Sequence, residues 1–275
     1  MKKFAIVTYA VAWLIGVLWI LPFVGVFMAS VRPFSEVVDG WWHFQEFTLT
    51  LGNFAEAWNH PTAPMGRGLF NSMSIVIPAT VLTITIASLG GYAFARFRFR
   101  LKGPLFFAII LIMAMSPQAI AVPLTFQMVK LGLVDTRVGL ILVQTTWGLP
   151  WSILFLRNFF LSLPEELEDA ARVDGASEFT VFRKIVFPLA RPAVLSVATL
   201  QFIFVWNEFF FALLFLHDPG KWVATQGIPL IKGRYFVNWS LVSAASMMTM
   251  MVPLIVFLSL QKYYIRGVMA GAIKG

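Results

Sequence analysis

Long apolar runs alternate with short polar segments along the whole chain of 275 residues. Six of these runs approach or exceed the roughly 20 residues that a helix needs to cross the hydrocarbon core of a bilayer. A backbone in lipid must satisfy its own hydrogen bonds, so each run is predicted to be a helix. The predicted spans are 5–31, 69–95, 104–129, 138–161, 193–216 and 241–264. The pattern therefore predicts an all-α integral membrane protein with six transmembrane helices, in which residues 1–275 form a single domain.

The segment between the fourth and fifth runs, residues 162–192, departs from this pattern because it is long and polar. It reads SLPEELEDAARVDGASEFTVFRKIVFPLARP. Ser162 and Glu165 have the spacing of a capping box, and Pro164 suits a first helical turn. These residues predict that a helix begins here, with Ser162 as its N-terminal cap.

The first helix of this segment is predicted over 165–173. It places Leu167, Ala170 and Ala171 on one narrow stripe of small and apolar side chains. Small residues on a helix surface let the backbone of another protein approach closely. The pair Asp174-Gly175 is a turn signal and is expected to end the helix.

A second helix is predicted over 178–187, where four apolar residues share one face, namely Phe179, Phe182, Ile185 and Val186. Pro188 and Pro192 then interrupt the chain before the next span. We therefore expect residues 162–192 to form a helix–turn–helix elbow that lies against the membrane surface.

The composition agrees with a membrane protein, since 59% of the residues are hydrophobic and only 12% are charged. The formal net charge of +8 is interpreted as a topology signal rather than as a nucleic-acid surface, because Lys and Arg accumulate in cytoplasmic loops. With six spans, the side that holds both termini carries 14 of the 21 Lys and Arg residues. Both termini are therefore predicted to be cytoplasmic. The apolar run at 5–31 is too long for a signal peptide and is expected to be retained.

Several kinds of chemistry have no sequence signature in this chain. There is no cysteine, which excludes disulfides, thiolate metal sites and thiol catalysis. There is no phosphate-binding G-x-x-x-x-G-K-[ST] loop, so ATP hydrolysis is not expected from the chain itself. His43, His60 and His217 lie in predicted outer loops without metal-ligand spacing, and no metal site is expected.

Polar residues within the apolar runs are the candidates for a transport pathway, because such groups are costly in lipid and usually face protein or water. The candidates are Asn207, Glu208, Gln144, Trp147 and Gln118. The carboxylate of Glu208 could accept hydrogen bonds from a polar solute, or it could brace a neighbouring span. Trp147 could stack on a sugar ring, or it could be an ordinary packing residue. Pro117 and Pro123 predict a kink in the third span.

A spacing match makes residues 162–192 more specific. Asp169-Ala170-Ala171, then Gly175, Ile185 and Phe187-Pro188, resemble the EAA loop of permease subunits of bacterial ABC importers. That pattern is Glu-Ala-Ala, three residues, Gly, nine residues, Ile, one residue and Leu-Pro. Asp169 stands where the family has Glu, and Phe187 where it has Leu. The shorter carboxylate of Asp169 puts in doubt any salt bridge carried over from the family.

The resemblance extends over essentially the whole chain. Four further stretches are similar to those of MalG-like permease subunits of ABC sugar importers. They are Asn71-Ser72, the run Gly91-Tyr92-Ala93-Phe94-Ala95-Arg96-Phe97, the tetrapeptide Trp206-Asn207-Glu208-Phe209 and the basic, glycine-containing tail from Gln261 onward. Six spans rather than eight also fit this subunit. The resemblance implies a type I ABC importer permease fold in the cytoplasmic membrane of a bacterium.

The same resemblance implies partners and roles. A second, MalF-like permease subunit would complete the pathway, an external solute-binding protein would deliver the sugar, and two ATPase subunits would bind ATP and Mg²⁺, so the chain itself needs no cofactor. The elbow would couple to an ATPase through Glu165, Glu166, Asp169, Ala170, Ala171, Asp174, Gly175, Ile185 and Pro188. The tail would reach the ATPase interface through Ala270, Gly271 and Lys274.

Two other interpretations remain open from the sequence. The same machinery could import another solute, such as a glycerol phosphodiester. Alternatively, the chain could be a self-sufficient secondary transporter, although only Glu208 could serve as an ion-coupling acid within a span and no inverted repeat is visible.

Overall fold

The fold is seen in a computed structural model that describes the backbone of residues 2–43, 47–233 and 236–272, with side chains from 6 to 262 within those ranges. The described part is helical and contains no strand. Its helices are α1 (Lys2–Ser30), α2 (Phe34–Val37), α3 (Gly52–Trp58), α4 (Met65–Arg96), α5 (Lys102–Met113), α6 (Pro117–Lys130), α7 (Arg137–Ser162), α8 (Glu166–Val173), α9 (Glu178–Val181), α10 (Phe187–Leu189), α11 (Arg191–Asn207), α12 (Phe210–Phe215), α13 (Ala224–Lys232) and α14 (Trp239–Ala272). A π-helical turn, Phe182–Val186, joins α9 to α10.

Four of the described helices are long and apolar enough to cross a membrane alone, over Ile6–Ser30, Met65–Arg96, Arg137–Ser162 and Trp239–Lys262. These ranges match the predicted first, second, fourth and sixth spans. Two sharply bent helix pairs bring the number to six when each pair is counted as one span. The predicted all-α membrane fold is therefore confirmed.

The third predicted span, 104–129, is not one continuous helix. Helices α5 and α6 meet at an angle of 109°, and α5 has only 12 residues, or about 18 Å of length. Ser116 caps α6 by accepting from the backbone N–H of Ala119, and Pro117 occupies the first helical turn. The expected proline kink is therefore a complete break, because Pro117 starts a new helix rather than bending an existing one.

The fifth predicted span, 193–216, is also interrupted. Helix α11 ends at Asn207, Glu208 has an extended backbone with φ −70° and ψ 120°, and α12 begins at Phe210. The break has a local cause, since the carboxylate of Glu208 accepts from the backbone N–H of Phe211 at 2.9 Å. An acidic residue in this position supplies the acceptor that a new helix start requires.

The chain divides into two compact units. One unit comprises residues up to Leu69 together with Ala224–Met251. Within it, the segment after α1 folds around the buried guanidinium of Arg32, whose Nε lies 3.0 Å from Glu36 Oε2. The amide of Asn53 donates to the carbonyl oxygens of Ser30 and Arg32. This segment is thus a folded cap on the end of α1.

The second unit comprises Phe70–Val223 and the chain from Val252 onward. It contains two apolar cores. One core is built around Leu140, Phe211 and Phe215. The other gathers Leu156 and Phe160 of α7, the end of α4, and residues 181–197. This second core anchors the elbow predicted from the sequence.

Candidate functional site

The elbow, defined as residues 162–192, has a well-formed first helix. Helix α8 spans Glu166–Val173 and ends in a Schellman motif, in which the N–H of Ala176 donates to the carbonyl of Ala171 and that of Gly175 donates to Arg172. Gly175 has φ +83°, a conformation that suits glycine. The predicted stop at Asp174-Gly175 is confirmed.

The predicted helix start is wrong in detail. Ser162 is the last residue of α7, and its hydroxyl donates back to the carbonyl of Phe159 at 2.7 Å. It therefore does not cap α8. Glu165 occupies the cap position but makes no capping hydrogen bond with its side chain, because its carboxylate instead accepts from Arg96 at 3.2 Å. A long-range ion pair has replaced the expected local capping box.

The predicted second helix, 178–187, contains a π-helical turn at Phe182–Val186. This wider turn changes the angular spacing of the side chains within it, and the predicted apolar face does not stay together. Phe182 and Val186 are buried, whereas Phe179 is exposed and Ile185 is half-buried. Pro188 is also half-buried.

One face of α8 is exposed in the part of the chain that the structure describes. Its exposed residues include two acids and three small or apolar side chains, namely Glu166, Asp169, Leu167, Ala170 and Val173. Val173 is 87% exposed, which is unusual for an apolar residue in a helix that packs on its other side. Ala171 is half-buried, so only part of the predicted stripe faces outward. An exposed, mixed acidic and apolar helix face is a surface suited to binding another protein.

The opposite face of α8 carries a buried carboxylate. Glu168 is 1% exposed, and its Oε1 lies 2.7 Å from Nε of Arg96 at the end of α4. Its Oε2 accepts from the hydroxyl of Tyr92 at 2.9 Å. Arg96 also donates to the carbonyl of Leu163 at 2.9 Å. The buried charge is therefore paired and hydrogen-bonded, as a charge in a dry environment requires.

Arg172 links three acidic residues of the elbow on its exposed side. Its guanidinium contacts Asp169 at 2.7 Å and Glu178 at 2.8 Å, and it reaches Glu168 at 3.3 Å. The hydrogen bond from Arg172 holds the pKa of Glu178 below its ordinary value. The hydrogen bond to Glu178 in turn raises the pKa of Arg172. Asp169, the acid at the start of the EAA-like triplet, thus has an internal partner.

Close helix packing positions the residues that hold the elbow. A Cβ atom on Gly91 of α4 would lie 3.1 Å from the backbone nitrogen of Arg157 on α7. The next residue, Tyr92, packs its ring against Phe160 and Phe182, with ring centroids 5.9 and 5.1 Å apart. Gly91 therefore brings α4 against α7 at the level where Tyr92 supports the elbow.

Sequence reasoning missed the residues that anchor the elbow, namely Tyr92, Arg96, Glu168 and Arg172. One signal was available. Tyr92 and Arg96 are four residues apart on one helix, as are Glu168 and Arg172 on another, so each pair shares a helix face. The pairing of the two faces could not be read from the sequence, because Arg96 and Glu168 are separated by 72 positions.

Three of the pathway candidates lie together in the second unit. Gln144 donates to Glu208 at 2.8 Å. Three residues after each of them, the rings of Trp147 and Phe211 meet edge to face, with their centroids 5.6 Å apart. Asn207 is exposed at the end of α11. Gln118 is exposed on α6, and among the described residues it makes no hydrogen bond to this cluster. The roles assigned to these residues stay predictions.

The predicted tail contacts can be located only in part. Ala270 and Gly271 lie in the last turn of α14, beyond the residues whose side chains are described. Lys274 lies outside the described residues. Within the described part of the chain, no group of three or more His, Asp or Glu residues could hold a metal ion.

Comparison with known proteins gives a consistent result. The family model for the binding-protein-dependent transport system inner membrane component matches residues 83–269. A probable ABC transporter permease protein of Pyrococcus horikoshii is 50% identical over 264 residues, which is 96% of each chain. The trehalose/maltose transport system permease protein MalG of Thermococcus litoralis is 35% identical over 268 residues, covering 96% of this chain and 95% of the relative.

The fold is also similar to that of a solved structure. A chain of a bacterial ABC transporter involved in the import of the acidic polysaccharide alginate superposes with a TM-score of 0.80. The match covers 96% of this chain and 97% of the other, at 22% sequence identity. At this sequence identity, the structural similarity is evidence for the fold alone.

Proposed function

This chain belongs to the binding-protein-dependent transport system inner-membrane components, the permease subunits of ABC importers, and from that membership we propose that it forms half of the translocation pathway of an ATP-driven importer of a sugar or oligosaccharide. The observation that carries the proposal is the elbow. It presents an exposed face of α8 for a partner, while a buried ion pair fastens the opposite face to the end of α4.

The proposed partners are supported by the family membership and, for the ATPase, by the exposed face of α8. The exposed face of α8 binds one of two ATPase subunits, which hold ATP and Mg²⁺ and carry out the hydrolysis. Glu166, Asp174 and the small residues around Ala170 are the contact residues, and Gly175 ends the contact helix. ATP and Mg²⁺ are thus assigned to the ATPase subunits and not to this chain. A MalF-like second permease subunit and an external solute-binding protein complete the importer.

The proposed orientation places the elbow and both termini in the cytoplasm, in the inner membrane of a prokaryotic cell. The support is the distribution of basic residues, because the stretch from the end of α4 to the start of α5 carries Arg96, Arg98, Arg100 and Lys102 within seven positions. The tail residues Ala270, Gly271 and Lys274 then lie on the same side as the ATPase subunits.

The proposed substrate is a sugar because the trehalose/maltose permease of Thermococcus litoralis aligns with almost the entire chain. We place the transport pathway at the break between α11 and α12. There, Asn207 is exposed within an apolar run, the hydrogen bond from Gln144 of α7 holds Glu208 at the break, and Trp147 offers an aromatic surface. A discontinuous helix at a polar site is typical of solute pathways in transporters.

The test is transport by the assembled complex in vesicles. The chain is co-purified with its second permease and ATPase subunits and reconstituted with ATP and Mg²⁺ on the ATPase side. Uptake of radiolabelled trehalose and maltose is measured with the binding protein on the other side. We expect uptake that requires ATP and persists when ionophores abolish ion gradients.

Two outcomes would overturn parts of the proposal. Uptake that needs an ion gradient and no ATP would identify a secondary transporter. ATP-driven uptake of a glycerol phosphodiester, without uptake of either sugar, would retain the ABC importer and replace its substrate.

A further inference from the structure

We propose that Arg96 and Glu168 are a positioning pair that makes α8 move as one body with the end of α4, so that a displacement of α8 is transmitted to a membrane-spanning helix. This inference rests on the proposed function, since it concerns how binding of the ATPase reaches the pathway. It assigns the transmission to two residues outside the exposed contact face.

The first observation is the geometry of the guanidinium of Arg96. Its Nε contacts Glu168 at 2.7 Å, its Nη1 contacts Glu165 at 3.2 Å, and its Nη2 donates to the carbonyl oxygen of Leu163 at 2.9 Å. All three nitrogens of one rigid, planar group are therefore engaged. Leu163 is the C-cap residue that follows α7, and Glu165 is the N-cap residue that precedes α8, so Arg96 joins the ends of three helices at one point.

The second observation is burial. The side chains of Arg96 and Glu168 are 5% and 2% exposed, and the hydroxyl of Tyr92 satisfies the second oxygen of Glu168. Within the described ranges, separating the pair would leave Arg96 with only its longer ion pair with Glu165 at 3.2 Å, and Glu168 with only its longer ion pair with Arg172 at 3.3 Å. Losing the shortest contact of two largely buried charges is unfavourable. The pair is therefore expected to stay closed while the elbow moves.

The third observation is the contrast with Arg172. This residue is about one-third exposed, and its partners are Glu168, Asp169 and Glu178, all within the elbow. Arg172 keeps the elbow rigid but does not fasten it to a span. Among the described residues, Glu168 is the residue of α8 whose side chain bonds to a membrane-spanning helix.

The experiment replaces the ion pair by a covalent link. Because the chain contains no cysteine, Arg96→Cys and Glu168→Cys introduce thiols at these positions alone. The two single variants and the double variant are purified in complex with the partner subunits, and the double variant is treated with a cleavable bifunctional thiol reagent. Uptake of radiolabelled trehalose and maltose, and ATP hydrolysis, are measured in the same vesicles.

The matched control is Arg98→Cys, which replaces a neighbouring arginine by cysteine at an exposed position two residues further along. We expect it to import as much sugar per ATP hydrolysed as the wild-type complex. The single cysteine variants should import about fivefold less per ATP, the lower range of coupling between sites. Cross-linking the double variant should restore the ratio, and reductive cleavage of the link should lower it again.

The inference is overturned if the single variants keep the wild-type ratio. It is also overturned if the cross-linked complex stays uncoupled although the link is shown to have formed. When a single variant assembles poorly, the decisive comparison is between cross-linked and cleaved forms of one preparation of the double variant. Failure of the wild-type complex to import sugar with ATP would instead count against the proposed function.

Discussion

The side-chain amide of Gln144 on α7 donates to Oε2 of Glu208 at 2.8 Å, where helix α11 has ended and α12 has not yet begun. The other carboxylate oxygen accepts from the backbone N–H of Phe211 at 2.9 Å. Both oxygens are engaged within the chain, so the carboxylate ties the start of α12 to α7 at the point where the fifth span is interrupted.

Glu208→Gln is therefore expected to reduce the yield of assembled complex and leave transport per complex unchanged. The amide keeps one acceptor but turns a donor toward Gln144 or toward the start of α12, which costs about 1–3 kcal/mol for the lost bond. The measurement is transport per assembled complex for trehalose and maltose. A loss that differs between the two sugars at normal yield would show that Glu208 contacts the substrate.

Gly175→Leu is expected to abolish uptake while the chain still inserts into the membrane. Gly175 has φ +83°, and apart from its two chain neighbours no atom of the described residues lies within 4 Å of a Cβ built there. A leucine would strain the turn by about 1 kcal/mol and project outward, into the space that an ATPase subunit would occupy.

The matched control for this substitution is Gly132→Leu. Gly132 has φ +65° and also has free space around a Cβ, but it lies in the predicted outer loop. Its strain is similar, so loss of uptake in both variants would assign the effect to strain alone. Normal uptake by Gly175→Leu would show that the elbow is not the coupling element.

The ion pair between Arg172 and Glu178 is expected to weaken at acidic pH. The hydrogen bond from Arg172 lowers the pKa of Glu178 below the ordinary value of 4.5. A carboxyl group whose pKa is lower in the folded state stabilises that state above the unfolded pKa, and this contribution is lost as the pH falls through the folded pKa. The elbow should therefore loosen as the pH falls below about 4.5.

The measurement uses a fluorescent label on Val173→Cys, an exposed position in a chain without cysteine. Label anisotropy should fall as the pH is lowered from 7 to 3. In a Glu178→Gln background the fall should be smaller, because the titrating group is absent. An equal fall in both backgrounds would assign the change to another group.

Two neighbouring glycines on α4 allow a closely matched comparison. A Cβ on Gly91 would meet the backbone nitrogen of Arg157 at 3.1 Å, whereas one on Gly90 would make ordinary contact with Ile153 at 3.6 Å. Gly91→Ala is expected to push α4 from α7 and lower the thermal stability of the complex, by about 1–3 kcal/mol for overpacking.

Gly90→Ala is expected to be neutral or stabilising by up to about 1 kcal/mol, because alanine has the higher helix propensity. Thermal unfolding of both variants in complex gives the comparison. Equal stability of the two variants would show that the contact between α4 and α7 at Gly91 tolerates a methyl group.

The predictable part of the fold is the part that depends on local composition. Apolar length alone located α1, α4, α7 and α14, because lipid forces such runs into helices. Gly175 was predictable for a similar reason, since the end of a helix demands a backbone conformation that glycine adopts readily.

The bend between α5 and α6 and the anchor of the elbow depend on distant residues, and neither these features nor the break at Glu208 could be predicted from the sequence. Pro117 signals a disturbance in the third span, but the angle of 109° between α5 and α6 is a property of the packed chain. The break at Glu208 has no proline or glycine to announce it. The sequence around Glu168 does not distinguish it from an exposed acidic residue of an amphipathic helix, and only the folded chain shows its contact with Arg96.

The long separation between Arg96 and Glu168 also bears on biogenesis. The chain is synthesised from its N-terminus at roughly 5–20 residues per second, so Arg96 emerges from the ribosome roughly 4–14 seconds before its partner. During this interval the arginine carries an unopposed charge and can help to retain its loop on the side of synthesis. The same charge can become buried only after the fourth span and Glu168 have been synthesised. One side chain therefore first helps to set the topology of the nascent chain and later stabilises the folded protein.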